Sequence, residues 1–341
     1  MHRYRDWLRG VAGVLIALAI IGAIREFRPH VAMAEDFSCS QTSAGSSVDI
    51  SVNEGETGST IATKLESAGV VASREAFYRL AVKDARSGSI SPGIHSVETH
   101  LCALDALDQL LDNARIKNRL VIVEGAWKSE VEKSLIRLGF SRSEITQAFS
   151  EVTLPKGYSS IEGLLYPAQY TFDTSATPSE IITRVIKKGV SLRAQIGIDR
   201  SVGGFSPAQL LTIASLIQAE ADVEDYAKVS QVIRNRLSKG MPLQFDSTVH
   251  YIKGTRGSVF LSTSSTLINS PYNTYKRYGL PPTPINNPGI EAMKAAIAPE
   301  TGPWLYFITV APGDTRFTKE YSQFEAWKKL YKKNLAAGKF D

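Results

Sequence analysis

The stretch SPAQLLTIASLIQAEA, residues 206–221, decides how the rest of the chain is read. Ser206 can cap a helix, Pro207 suits the first helical position, and Gln209 completes a capping box. Leu210, Ile213, Ile217 and Glu220 then recur at spacings of three, four and three. That pattern places Glu220 on an apolar stripe near the end of a helix. A carboxyl group there has two explanations. An arginine such as Arg234 or Arg236 can pair with it, making its role structural. Alternatively, desolvation disfavours the charged form, raises the pKa and leaves a proton available near neutral pH, as a general acid requires.

Downstream, Glu224-Asp225 opens a second helix through Tyr226, Val229, Ile233 and Leu237, closed by Lys239 and Gly240. MPLQFDST, residues 241–248, reads as a polar turn, with Asp246 as a turn-former or ligand contact. After a Ser/Thr-rich loop (258–266) comes SPYNTYKRYGLPPTPINNPG, residues 270–289, a proline-ruled loop. Its Tyr272, Asn273, Tyr275 and Tyr278 combine aromatic faces with amide and hydroxyl groups. Sugar rings offer matching apolar C–H faces and polar rims.

Upstream, EGLLYPAQYTF (162–172) reads as a buried crossing segment or one wall of a groove. Leu120–Val123 is an apolar run before the turn Glu124-Gly125, and helices are expected at about 103–113 and 129–138. Before them, Asp49–Val52 alternates like a short strand, and Ser59 or Thr60 can cap a helix that Gly69 ends. Ser73 caps another helix, and Ile94–Val97 is extended. Strand, helix, helix, strand is a small α+β unit.

At the N-terminus, Arg3, Arg5 and Arg9 precede GVAGVLIALAIIGAI (10–24), and Arg25 and Arg28 follow it. The expectation is a membrane anchor over 10–28, with residues 1–9 in the cytoplasm by the positive-inside bias. A secretory signal cleaved after Ala32-Met33-Ala34 is the competing reading, weakened by the charges between the apolar run and that site. Residues 29–48 then read as a polar, Ser-rich linker. Either reading exports the remainder. Hydrophobic residues at 43% and charged residues at 21% are ordinary globular composition. Lys+Arg 39 against Asp+Glu 34 gives only +5, without a long basic run, so no nucleic-acid partner is expected. The five histidines form no HExxH-like cluster, and no metal or cofactor is expected. Cys39 and Cys102 have no metal-ligand spacing. A disulfide and two free thiols remain equally open.

VIVEG, EGLLYP, ASLIQAEA, IRNRLSKGMPLQFDST, SPYNTY with GLPPTPINNPG, and WLYFI follow one another in this order, and the likeness they carry covers roughly residues 50–330. Together they resemble the MltG-type (YceG-like) endolytic murein transglycosylases. The resemblance implies an α+β protein: a membrane helix, a small LysM-like domain at 49–100 and a larger mixed α/β catalytic domain at 101–341. It implies non-hydrolytic cleavage of the MurNAc–GlcNAc bond inside nascent glycan strands, leaving 1,6-anhydro-muramic ends. It also implies work at the cytoplasmic membrane beside peptidoglycan synthases. The family's catalytic Glu falls on Glu220. Where many members carry two Glu in this helix, this chain has Gln218 and Glu220. Thr315 and Phe324 stand where histidines are frequent. Gln244, Asp246, Tyr272, Asn273 and Tyr275 are the candidate sugar-binding residues. Two alternatives compete: a lysozyme-like hydrolase with Asp246 as second carboxylate, and a non-catalytic glycan-binding scaffold for cell-wall synthases.

Overall fold

The computed structural model describes residues 34–39, 45–256 and 261–340. The expected cytoplasmic segment at 1–9 and anchor at 10–28 lie outside these residues. Among the described residues no helix is long and apolar enough to cross a membrane. The chain divides into two compact units, with the break between Lys117 and Asn118.

The small unit runs β1 (Ser47–Val52), α1 (Gly58–Ser67), α2 (Arg74–Lys83), β2 (Gly93–Glu98), α3 (Ala103–Leu111) and the two-residue β3 (Ile116–Lys117). β1 and β2 pair antiparallel with Val48 opposite Val97 and Ile50 opposite His95, and β3 adds to the other edge of β2. Helix α1 is capped by Thr57 rather than by Ser59 or Thr60, whereas Ser73 caps α2 as expected. Ile50, Leu65, Phe77, Val97, Leu107 and Leu110 fill the core. Because Leu107 and Leu110 belong to α3, this helix is part of the small unit, which therefore extends past residue 100.

Within the expected linker at 29–48, of which 29–33 and 40–44 lie outside the described residues, two stretches pack on the small unit. Residues 34–39 dock on the small unit. Cys102, the N-cap of α3, provides no side-chain cap. Asp36 supplies it from far away in sequence, both carboxylate oxygens accepting the Ala103 N–H at 3.1 and 3.2 Å. An acidic group at a helix N-terminus is also favoured by the helix dipole. Ser73 Oγ donates to Glu35 O at 2.7 Å, and the Phe37 ring lies 5.3 Å from that of His100. Cys39 and Cys102 are joined in a disulfide, which settles the open question. At the far end, Gly45 and Ser46 already pair with Thr99.

The larger unit is predominantly helical. Its strands stay in two separate antiparallel pairs: β4 (Arg119–Ile122) with β5 (Ala168–Thr171), and β6 (Tyr306–Ala311) with β7 (Asp314–Thr318). Helices α4 (Lys128–Arg137), α5 (Arg142–Glu151) and α6 (Pro178–Ile196) pack with β4 and β5 around Leu120, Leu135, Ile182 and Val185. Helices α7 (Pro207–Glu220), α8 (Tyr226–Ser238), α9 (Asp246–Lys253) and α10 (Ile290–Ile297) build a second core, and α11 (Tyr321–Ala336) follows β7.

Helix α7 starts as its sequence requires. Ser206 and Gln209 form the capping box and Pro207 occupies the first turn. Its middle differs from the expected amphipathic stripe: every residue from Leu210 to Ile217 is buried. A helix apolar on all sides is a core helix, not a surface one. Removing one such side chain, as in Ile213→Ala, costs about 2–5 kcal/mol by the usual large-to-small scale. Glu220 thus stands where the helix leaves the core.

Candidate active site

Glu220 is the last residue of α7, and Asp246 is the first residue of α9. Asp246 was expected in a turn; the turn ends at Phe245 and the helix begins with it. Two helix ends therefore meet. The Ser247 N–H, in the first turn of α9, donates to Glu220 Oε1 at 3.3 Å. Burial nevertheless dominates and pushes the Glu220 carboxyl up to about 7, aided by the negative charge of Asp246; the Ser247 bond and distant Arg236 only partly oppose this. A carboxylate at the C-terminus of α7 also faces the negative end of the helix dipole.

The arginines do not claim it. Arg236 is buried, donating Nε to Leu305 O and Nη1 to Leu243 O, both at 2.6 Å, with its guanidinium 5.3 Å from the Tyr306 ring. Arg234 donates to Ala296 O at 2.6 Å and lies over Phe205. Among the described residues no cation lies within ion-pair distance of Glu220.

Glu220 and Asp246 are shared by two clefts. One, of about 470 Å³, is lined by Glu124, Trp127, Gln218, Ser247, His250 and Asn286. The other, of about 520 Å³, is lined by Gln244, Tyr275, Tyr306, Phe324, Lys328 and Tyr331. Its aromatic wall is built by contact: Tyr306 stacks on Phe324 at 5.3 Å, and Tyr321 lies 5.6 Å from Tyr306. In the first cleft, His250 Nδ1 and Asn286 Oδ1 are buried without a hydrogen-bond partner among the described residues. Such groups are costly to leave unmade and can hydrogen-bond a polar molecule that enters the cleft. A carboxyl group holding a proton near neutrality, with a cleft on either side, can protonate a bridging oxygen within a polymer.

The five candidate sugar-binding residues separate in space. Gln244, Asp246 and Tyr275 line the second cleft. Tyr275 donates its hydroxyl to Asp246 Oδ1. Burial first, and then that bond, raise the phenol's pKa. Gln244 holds a left-handed backbone at φ 53°, its N–H donating to Thr274 O at 3.1 Å. Tyr272 and Asn273 line neither cleft. Asn273 is fully buried and braces its own loop, donating to Thr266 O at 3.0 Å and Ile268 O at 2.7 Å and accepting the Tyr275 N–H. Tyr272 spends its hydroxyl on Thr283 and its ring on Tyr251. Both shape the loop that presents Tyr275.

Sequence reasoning assigned no role to the Glu of EGLLYP. Glu162 is buried, and its carboxylate accepts from Lys128 N at 3.0 Å, Asn287 Nδ2 at 3.2 Å and Tyr251 OH at 3.2 Å. It thereby joins the start of α4, the 285–288 loop and α9, three of the segments around the first cleft. Burial pushes it, too, up to about 7. The following glycine, Gly163, has φ 89°, and a Cβ there would come within 2.5 Å of the Pro284 ring, so only glycine fits. Gln218 is also fully engaged: its Nε2 donates to Tyr226 OH at 2.8 Å and its Oε1 accepts the Gly289 N–H at 2.9 Å.

Comparison with known proteins agrees with this architecture. The endolytic murein transglycosylase of Bacillus subtilis is 30% identical over 307 residues, covering 83% of this chain and 84% of that protein. An endolytic murein transglycosylase of Streptococcus pneumoniae R6 is 34% identical over 156 residues, which is 43% of this chain but 28% of that longer protein. The crystal structure of a YceG-like protein from Listeria monocytogenes superposes with a TM-score of 0.57 at 26% identity, covering 83% of this chain and 99% of that one. A family model described as the YceG-like family matches residues 50–329, most of the chain and both of its compact units, and this protein belongs to that family.

Proposed function

We propose that this protein is an endolytic murein transglycosylase that uses Glu220 as its only acid–base group. The observation that carries the reading is the place of Glu220: a carboxyl group raised to about 7, without a paired cation, at the junction of two clefts. A strand threaded through both clefts presents an internal bond to it. Glu220 protonates the oxygen leaving muramic C1 as positive charge develops there. The resulting carboxylate then takes the proton from the muramic 6-hydroxyl, which attacks C1. The product end is 1,6-anhydro-muramic, and cleavage limits strand elongation. Because the nucleophile belongs to the substrate, no activated water is needed and the entropy of capture is small. Gln244 and Tyr275 position sugars in the second cleft, with Tyr306 and Phe324 as stacking surfaces.

The small unit is a LysM-like glycan-binding module; its strand–helix–helix–strand order with antiparallel β1–β2 pairing supports this. Residues 10–28 anchor the chain once in the cytoplasmic membrane, with the N-terminus inside and peptidoglycan synthases as neighbours. The Cys39–Cys102 disulfide supports an oxidising location for the remainder.

The test is the product mass from a defined glycan strand. Transglycosylation leaves the summed mass of the products equal to that of the substrate. Addition of one water would instead establish a hydrolase, for which Asp246, lining both clefts beside Glu220, is the available second carboxylate. Binding without shortening would leave only the scaffold reading.

A further inference from the structure

A third groove, of about 580 Å³, adjoins the first cleft and shares Glu124, Gly125 and Arg256 with it. It runs between the 121–126 segment and helix α4. Strand β4 has β5 on one side and no second neighbour among the described strands. The register pairs Leu120 with Tyr170 and Ile122 with Ala168, and the Phe172 N–H donates to Asn118 O at 3.2 Å. In an antiparallel pair, hydrogen-bonded residues alternate. Asn118, Leu120 and Ile122 therefore direct their backbone groups toward β5, and Val121 directs its own to the open edge. Val121 and Val123 are 38% and 63% exposed there.

The opposite wall is cationic. Lys133 and Arg137 are exposed, one turn apart on α4, and neither has a carboxylate within 4 Å among the described residues. Arg137 only donates to Ser134 Oγ. Of the two acidic residues lining the groove, Glu130 is occupied by Arg256, at 2.6 Å, and also feels the charge of Lys133, while the Glu124 carboxylate, a negative charge, lies close to Gly289 at the end shared with the first cleft. Arg256 itself is fixed where groove and cleft meet, donating to Gly125 O and lying 4.1 Å from the Trp127 ring.

An open strand edge facing two exposed cations with no carboxylate within 4 Å among the described residues suits an extended peptide that carries free carboxylates. The position of the groove, continuous with the first cleft, says where such a peptide would come from. We propose that this groove seats the peptide branch of a muramic acid residue whose sugar lies in the first cleft, with Val121 pairing to its backbone and Lys133 and Arg137 facing its carboxylates. This rests on the transglycosylase reading. It makes the enzyme one that selects peptide-bearing strands over naked ones.

The test compares the full-length protein on one set of glycan strands, before and after enzymatic removal of the peptides. Wild type is expected to cleave peptide-bearing strands with a kcat/KM about fivefold higher, the size of one modest charge contact. Lys133→Glu with Arg137→Glu, both on the exposed face of α4, is expected to erase that preference while leaving cleavage of naked strands unchanged. Raising salt to 1 M should shrink the wild-type preference, because exposed charges are screened. Equal wild-type rates on both substrates, or a double variant equally impaired on both, would overturn the proposal. The parent reading is judged separately, by whether naked strands are cleaved at all and whether Glu220→Gln abolishes that cleavage.

Discussion

Glu220 and Glu162 are two carboxyl groups in one unit, and burial pushes each up to about 7. Their surroundings differ. Glu162 accepts from three donors on three segments, whereas Glu220 accepts from one residue only among the described ones, Ser247, and opens onto two clefts. A raised pKa therefore does not by itself identify an acid that reacts. What separates the two is unspent hydrogen-bonding capacity in contact with space a substrate can enter. Glu162 has committed its oxygens to holding the cleft together. Glu220 has kept one available.

The contrast is broken most directly by replacing each carboxyl. Glu220→Gln should lower the rate of strand cleavage by about 1,000-fold, within the usual range for a lost general acid, with unchanged circular dichroism at pH 6. A variant that still releases products at the wild-type rate would remove Glu220 from the chemistry. Glu162→Ala should act on the fold instead. One buried and two partly buried donors lose their acceptor, and denaturant titration should show a loss of about 3 kcal/mol, against about 1 kcal/mol for Glu162→Gln. If Glu162→Ala left stability intact while activity vanished, the assignment of roles would be reversed.

Titration sharpens the comparison. For both groups the folded-state value lies above the ordinary 4.5, so their contribution to stability is present below about 4.5 and is lost as pH rises through about 7. Glu220→Gln should therefore gain stability relative to wild type between pH 5 and pH 8, by about 2 kcal/mol. Wild-type activity should fall over the same range as Glu220 loses its proton. A stability difference that is flat with pH would show that Glu220 is not desolvated. The smallest effect belongs to Tyr251→Phe, which removes one of the three donors to Glu162. It should cost about 1 kcal/mol without altering the alkaline limb of the activity profile.

The parts that local chemistry controls were legible in the chain. Ser206, Pro207 and Gln209 start α7 because capping depends on neighbours within one turn. The exceptional character of Glu220 followed from an acid placed after an apolar run. What sequence could not show depends on which backbone groups remain unsatisfied in three dimensions. Asn273 has the chemistry of a sugar contact, yet the carbonyls of Thr266 and Ile268 take both its protons. Trp127, His250 and Asn286 reach the same cleft from segments far apart in sequence, so no spacing announces them. Glu162 sits in a motif whose apolar neighbours signal burial, but its donors are distant in sequence, two of them about ninety or more residues away. The docked segment 34–39 reads as linker because its composition is polar. Its fixed points, Asp36 on α3 and Cys39 on Cys102, are visible only once α3 is in place.

That last feature also decides how the protein carries a mechanical load. With Cys39 bonded to Cys102, a pull applied upstream of Cys39 passes through sulfur directly into α3. The 63-residue sequence separation between the two cysteines becomes a closed covalent ring outside the path of the force. Strand β1 and helices α1 and α2 can then slip or rearrange without lengthening the chain, and the line of tension bypasses the β1–β2 pairing altogether. Reduction would return those residues to the load path and add their contour length to the extension at which the chain goes taut.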